Sequence, residues 1–114
     1  MKMIIAIVRP EKLPDVTKEL TNIGVRGMTI SEVKGRGNQK GIILQSRDSS
    51  HEVEFLPKAQ IMLVVNDDDL DRIVETMITA AKTDRGPGDG KVFVCPCTEV
   101  IRIRTGERDG ASCI

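Results

Sequence analysis

Tryptophan and tyrosine are missing from these 114 residues, and the aromatic side chains stop at Phe55 and Phe93. The stacking platforms that single-stranded nucleic acid needs are therefore absent. Charge of one sign is not in excess either, with 17 basic against 17 acidic residues. That balance excludes the broad basic field that draws a chain to nucleic acid or anionic lipid, so any anion site has to be local. Cysteine is odd in number, at Cys95, Cys97 and Cys113, and no signal-like or membrane-length apolar run is present. Together these point to a reducing, cytoplasmic setting without disulfides. The sole histidine, His51, has no carboxylate or cysteine at metal spacing, and Cys95-Pro96-Cys97 has the wrong spacing for a zinc pair. No nucleophile, base and orienting group can be assembled from the remaining polar residues, so an enzyme is not expected.

What is present reads as one domain over 1–114. Met3-Ile4-Ile5-Ala6-Ile7-Val8 is a short branched apolar run, read as a buried strand that Arg9-Pro10 ends before a helix. Leu13, Val16, Leu20 and Ile23 recur at helical spacing, and Gly24 closes that helix. A second strand runs over Met28–Lys34, alternating apolar and polar. The grammar then repeats: Ile61–Val65 is a strand, and Asp67-Asp68-Asp69 caps a helix carrying Leu70, Ile73, Val74, Met77 and Ile78 inward. A shift of 57 positions carries Ile4 to Ile61, Val8 to Val65, Leu13 to Leu70, Val16 to Ile73 and Leu20 to Met77, which marks an internal repeat. The fourth strand is read from Lys91 to Arg104, with a bend where Pro96 removes a donor.

Two βαβ units of this kind predict an α+β, ferredoxin-like fold: a four-stranded antiparallel sheet with two helices on one face. The other face is apolar and needs a cover, which predicts a homo-oligomer with its sheets turned inward and sites made by neighbouring chains. Between the halves, from about Gly35 to Lys58, lies a segment longer than the roughly 12–15 residues usual for a structureless loop, and hence functional or disordered.

Two stretches carry ligand chemistry. Gly88-Asp89-Gly90-Lys91 joins the second helix to the last strand; glycines let backbone N–H groups converge on an anion, and the lysine adds charge. Val100-Ile101-Arg102-Ile103-Arg104, read as a strand, puts Arg102 and Arg104 on one face, where two guanidiniums can grip phosphate oxygens. The bland alternatives are a Gly/Pro turn with a solvated lysine and a salt-bridged edge strand. The glycine-spaced run Gly35–Gly41 lacks the ending of a phosphate-binding P-loop, and Lys58, after Pro57, binds a carboxylate or snorkels.

End to end, the chain resembles the PII family of nitrogen signal-transduction proteins. The resemblance rests on Gly27–Gly35, Gln39-Lys40-Gly41, Phe55-Leu56-Pro57-Lys58, Gly88–Val94 and Ile101–Gly106. It implies a homotrimer binding ATP or ADP in clefts between chains, with a mobile effector loop at about 37–56 that contacts targets. By the same resemblance Thr29, Gly35, Gly37 and Val64 line the adenine and ribose part, and the loop Gly88, Asp89, Gly90, Lys91 wraps the phosphates with Arg102 and Arg104. Asn38 stands where many members have an arginine that reaches the terminal phosphate. Gln39 helps hold a Mg²⁺ bridging ATP and 2-oxoglutarate, Lys40 and Gly41 flank that effector, and Lys58 pairs with its carboxylate. Magnesium's preference for oxygen ligands and substrate phosphates fits such a bridge.

Departures from the family pattern are that His51 replaces a modifiable tyrosine, Met62 replaces an acidic residue, and the Thr83–Gly88 connection is one residue longer. Ser49 matches a serine phosphorylated in some members. The implied targets are an ammonium transporter, glutamine synthetase, an adenylyltransferase or, in a related branch, nitrogenase, so that a membrane is met only through a transporter. A small phosphotransferase using His51 and an RNA-binding module are the rival readings.

Overall fold

The computed structural model describes residues 1–37, 43–45, 50–52 and 55–108. Strand β1 (Lys2–Val8) leads through a 3-10 turn at Pro10–Lys12 into helix α1 (Leu13–Asn22), and β2 (Thr29–Gly35) follows. Two three-residue strands, β3 (Ile43–Gln45) and β4 (Ser50–Glu52), pair only with each other, antiparallel, within the segment read as the effector loop. Strand β5 (Leu56–Val65) then enters a second 3-10 turn at Asp67–Asp69, helix α2 (Leu70–Ala81) and β6 (Gly90–Pro96). The main sheet has the order β2-β5-β1-β6 with every neighbouring pair antiparallel. This is the ferredoxin-like arrangement of two interleaved βαβ units predicted above.

The repeat is literal at the core. Ile4, Ala6 and Val8 of β1 and Ile61, Leu63 and Val65 of β5 are all buried, and each pair is 57 residues apart. Val16 and Leu20 of α1 answer to Ile73 and Met77 of α2 in the same register, all buried under the sheet. Period 2 in the strands and 3.6 in the helices turn these side chains to one shared layer. Helix α1 ends as Gly24 predicts: Val25 N–H donates to Leu20 O (3.0 Å) and Gly24 N–H to Thr21 O (3.0 Å), with Gly24 at φ 97°. That paired closure is a Schellman motif, which needs a residue at ease in the left-handed region.

Two expectations are corrected. Asp67, Asp68 and Asp69 do not cap α2 through their side chains; they form the 3-10 turn before it, as Pro10–Lys12 does before α1. Their charge still lies at the helix start, where it favours the dipole. The last strand stops at Pro96 rather than Arg104. Cys97 N–H donates to Met1 O (3.1 Å), after which the chain leaves the sheet and folds on itself through an isolated bridge between Ile101 and Arg108.

Among the described residues nothing covers the face of the sheet away from the helices. Partner registers put Met3, Ile5 and Ile7 of β1 on that face with Met62 and Val64 of β5 and Phe93 of β6. Phe93 is 48 % exposed and Met62 36 %. Among the described residues no helix is long and apolar enough to cross a membrane.

Candidate functional site

A cleft of about 820 Å³ opens at the end of the sheet where β2 finishes and β6 begins. It brings together six residues singled out from the sequence: Gly35, Gly37, Lys58, Gly88, Gly90 and Lys91. Lys34 and Arg36 also line it, while Ile7, Val33 and Phe93 supply apolar wall. Pockets of this size, largely apolar with a few convergent polar groups, are where small ligands bind. Here the charged lining is cationic, so the ligand it suits is an anion with an apolar portion.

The loop from Thr83 to Gly90 is fastened by side chains remote in sequence. Arg9 Nε donates to Asp89 Oδ1 (3.0 Å), and the same guanidinium reaches Pro87 O through a terminal nitrogen (3.1 Å). Thr83 N–H donates to Asp89 Oδ2 (2.9 Å), and the Thr83 hydroxyl donates to Asp89 Oδ1. Asp89 therefore faces Thr83 and Arg9 and does not line the cleft. The Thr83 hydroxyl and amide, followed by Arg9, hold its carboxyl down to about 2. Lys58 Nζ donates to Gly88 O (2.9 Å). Burial, with the neighbouring Arg9 charge second, pushes the Lys58 ammonium below its ordinary range.

Outside this clasp, Arg85 pairs with Glu11 at 2.8 Å across the surface. Glu11 is held below the usual carboxylate range first by its backbone hydrogen bond and then by Arg85. Residues 84–87 are exposed and form a solvated turn between two fastened ends.

Gly90 is a glycine for a packing reason. It sits at φ 112°, opposite Val8, and a Cβ there would collide with the Ile7 carbonyl oxygen and lie 2.8 Å from its carbon. Close approach of β6 to β1 thus requires the missing side chain. Gly88, at φ 105°, lines the cleft itself.

Thr29 and Val64 are not in this cleft. Thr29 starts β2 opposite Met62, and Val64 pairs with Met3, whereas Gly35 ends β2 opposite Leu56. Six residue steps along the strand place the two sets about 20 Å apart. Arg102 and Arg104 are likewise elsewhere: they lie in a turn, not on alternating strand positions. Arg102 N–H donates to Glu107 O (2.9 Å) and Gly106 N–H to Arg102 O (2.7 Å), which closes the turn with Gly106 at φ 72°. Arg102 Nε is buried with no hydrogen-bond partner among the described residues, and Arg104 is exposed. Asn38, Gln39, Lys40, Gly41 and Ser49 lie outside the described residues.

Sequence reasoning missed Arg9 and Thr83. Arg9 lies 80 residues from Asp89 and 78 from Pro87. The only local hint was its place directly after the first strand, whose partner across the ladder begins with the glycine loop.

Fold and cleft together define a small ferredoxin-like module with a cation-lined cleft and a glycine loop at its rim. The family model "Nitrogen regulatory protein P-II" matches residues 1–107. Nitrogen regulatory protein P-II 2 of Methanothermobacter thermautotrophicus is 50 % identical over 107 residues, covering 94 % of this chain and 92 % of that protein. Nitrogen regulatory protein P-II of Klebsiella oxytoca is 50 % identical over 112 residues, covering 98 % and 99 % respectively. Among solved structures, Arabidopsis thaliana PII bound to citrate superposes with a TM-score of 0.78 at 37 % identity, over 99 % of this chain and 91 % of that one. The chain belongs to the PII family of nitrogen regulatory proteins.

Proposed function

We propose that the chain is a non-catalytic sensor that binds ATP or ADP and, with Mg-ATP, 2-oxoglutarate, and passes the result to target proteins of nitrogen assimilation through its 37–56 loop. The observation that carries this reading is the convergence of Gly35, Lys58, Gly88 and Lys91 on one cation-lined cleft. Three stretches far apart in sequence meet there, at Gly35, at Lys58 and at Gly88 with Lys91, and each position is of a type that suits phosphate or carboxylate. The volume accommodates a nucleotide, and the Ile7, Val33 and Phe93 wall gives its apolar part a surface. The Arabidopsis relative's citrate, a carboxylate, supports a small carboxylate as a ligand of this fold.

A site shared between copies follows from the same geometry. Thr29 and Val64 stand at one end of the sheet and Gly35 and Lys91 at the other, so a single nucleotide can touch both sets only if two chains contribute. The bare apolar sheet face supplies the contact that would bring them together, as a homotrimer. Arg102 and Arg104 join the site in that assembly through the segment after Pro96. Gln39 takes the metal-side role, with Mg²⁺ neutralising the phosphates and presenting the keto acid; Lys40, Gly41 and Lys58 hold its carboxylates. Targets in this reading are a transporter, glutamine synthetase, an adenylyltransferase or nitrogenase.

Titration calorimetry with Mg²⁺ tests the coupling. 2-Oxoglutarate is expected to bind at least about tenfold more tightly with ATP present than without, a difference of about 1.4 kcal/mol. Equal affinity in the two titrations refutes the coupled sensor.

A further inference from the structure

The proposed nucleotide site rests on a glycine loop, and the structure says what keeps that loop in shape. Pro87 O accepts from Arg9 and Gly88 O accepts from Lys58, so two successive carbonyls are turned toward two neighbouring cations. Both peptides are trans. A trans peptide carries its N–H opposite its C=O, so the Gly88 amide points away from Arg9, which lies outside the cleft, while Gly88 itself lines it. That amide has no hydrogen-bond partner among the described residues. A backbone N–H turned toward a cation-lined cleft is a donor for an anion. Arg9 also holds the far side of the same turn by its bond to Asp89, and it is anchored directly after β1 with its side chain only 13 % exposed.

We propose that Arg9 is a positioning residue for the phosphate-binding glycine loop. Its planar fork bridges Pro87 O and Asp89 across Gly88, and so fixes the peptide orientation that presents the Gly88 amide to a polyphosphate. Arg9 does not line the cleft and acts through the loop alone. The bridge needs two donors in one rigid plane; a lysine, a single point of charge on a flexible stem, can keep the carboxylate but not both ends. This inference rests on the nucleotide-binding reading above.

The test is calorimetric binding of ATP and of AMP to the full chain and to Arg9→Gln and Arg9→Lys. A glycine loop that takes the polyphosphate is felt by its outer phosphates, so Arg9→Gln is expected to weaken ATP about tenfold and AMP less than about twofold, with Arg9→Lys between wild type and Arg9→Gln for ATP. Should Arg9→Gln fail to fold, Arg9→Lys, which retains the charge beside Asp89, carries the same comparison. An equal loss for both nucleotides, which a general loosening of the fold would produce, overturns the proposal. So does unchanged ATP affinity in a wild-type protein that binds ATP. A wild-type chain that binds neither nucleotide overturns the site itself, and with it the role of Arg9.

Discussion

The two halves of this chain bury equivalent side chains in equivalent places, yet they leave their helices in opposite ways. After α1 the chain turns chiefly on backbone hydrogen bonds, from Gly24 and Val25 back to Thr21 and Leu20, with one side chain, Arg72, donating to Ile23 O (3.0 Å). After α2 it makes an excursion from Lys82 to Asp89 that is shaped by side chains, with Thr83, Asp89, Arg9 and Lys58 each holding a piece. The first connection closes the helix and ties it to α2 through Arg72. The second is where the repeat breaks and where the cleft forms. A duplicated core can stay symmetric because packing asks the same of both halves; a ligand site needs asymmetry, and the loop is the cheapest place to put it.

The largest expected effect separates the glycines of the two connections. Gly90→Ala is expected to cost more than about 4 kcal/mol or to abolish folding, since relief of the collision requires β6 to leave β1. Gly24→Ala, at φ 97° but with open space around it, should cost only about 1–2 kcal/mol. Urea denaturation of the two variants makes the measurement, and similar losses would remove the distinction between a packing glycine and a turn glycine.

Next in size is the Asp89 clasp. Asp89→Asn should destabilise by about 1–3 kcal/mol, the range for a charge-assisted hydrogen bond and an unsatisfied partner. The sign with pH follows from a lowered carboxyl. Asp89 moves from 3.8 to about 2 on folding, so its contribution is complete above about 3.8 and is lost as pH falls from there through about 2. Wild-type stability should therefore drop more steeply than that of Asp89→Asn over this window, as followed by denaturation at stepped pH. Parallel pH profiles would show that the carboxylate is not the clasp.

The smallest effect belongs to the solvated part of the same loop. Arg85 and Glu11 are each more than half exposed, so Arg85→Ala should change stability by less than about 0.5 kcal/mol. A larger loss would mean that the outer turn, and not only its fastened ends, shapes the cleft.

Much of this was legible before any coordinates. Branched apolar runs and helical spacing gave the four main strands and both helices, and the 57-residue shift named four buried pairs, Ile4/Ile61, Val8/Val65, Val16/Ile73 and Leu20/Met77, with Leu13/Leu70 partly buried, because burial imposes a period that sequence displays. Lys91 to Arg104 misled for the same reason. Val-Ile-Arg-Ile-Arg alternates as a strand does, but alternation records only that two kinds of side chain take turns. What ends β6 is Pro96, without a donor, and then a turn closed at Gly106. Lys58, Gly88 and Lys91 were readable as anion chemistry because each carries its reason locally, as charge or backbone freedom. Arg9 was not, because its role exists only once the ladder between β1 and β6 brings residues 80 apart into contact, and Thr83, six residues from Asp89, was not, because its bonds exist only once the loop has folded back.

The bare sheet face has a consequence for how the molecule is made. Met3, Ile5, Met62 and Phe93 offer water a greasy plane with no helix or loop over it among the described residues. If copies close over one another as proposed, finishing the fold and finding siblings become a single event. Stability then loses its meaning apart from concentration, and a newly synthesised chain waiting alone is the most vulnerable form the protein takes.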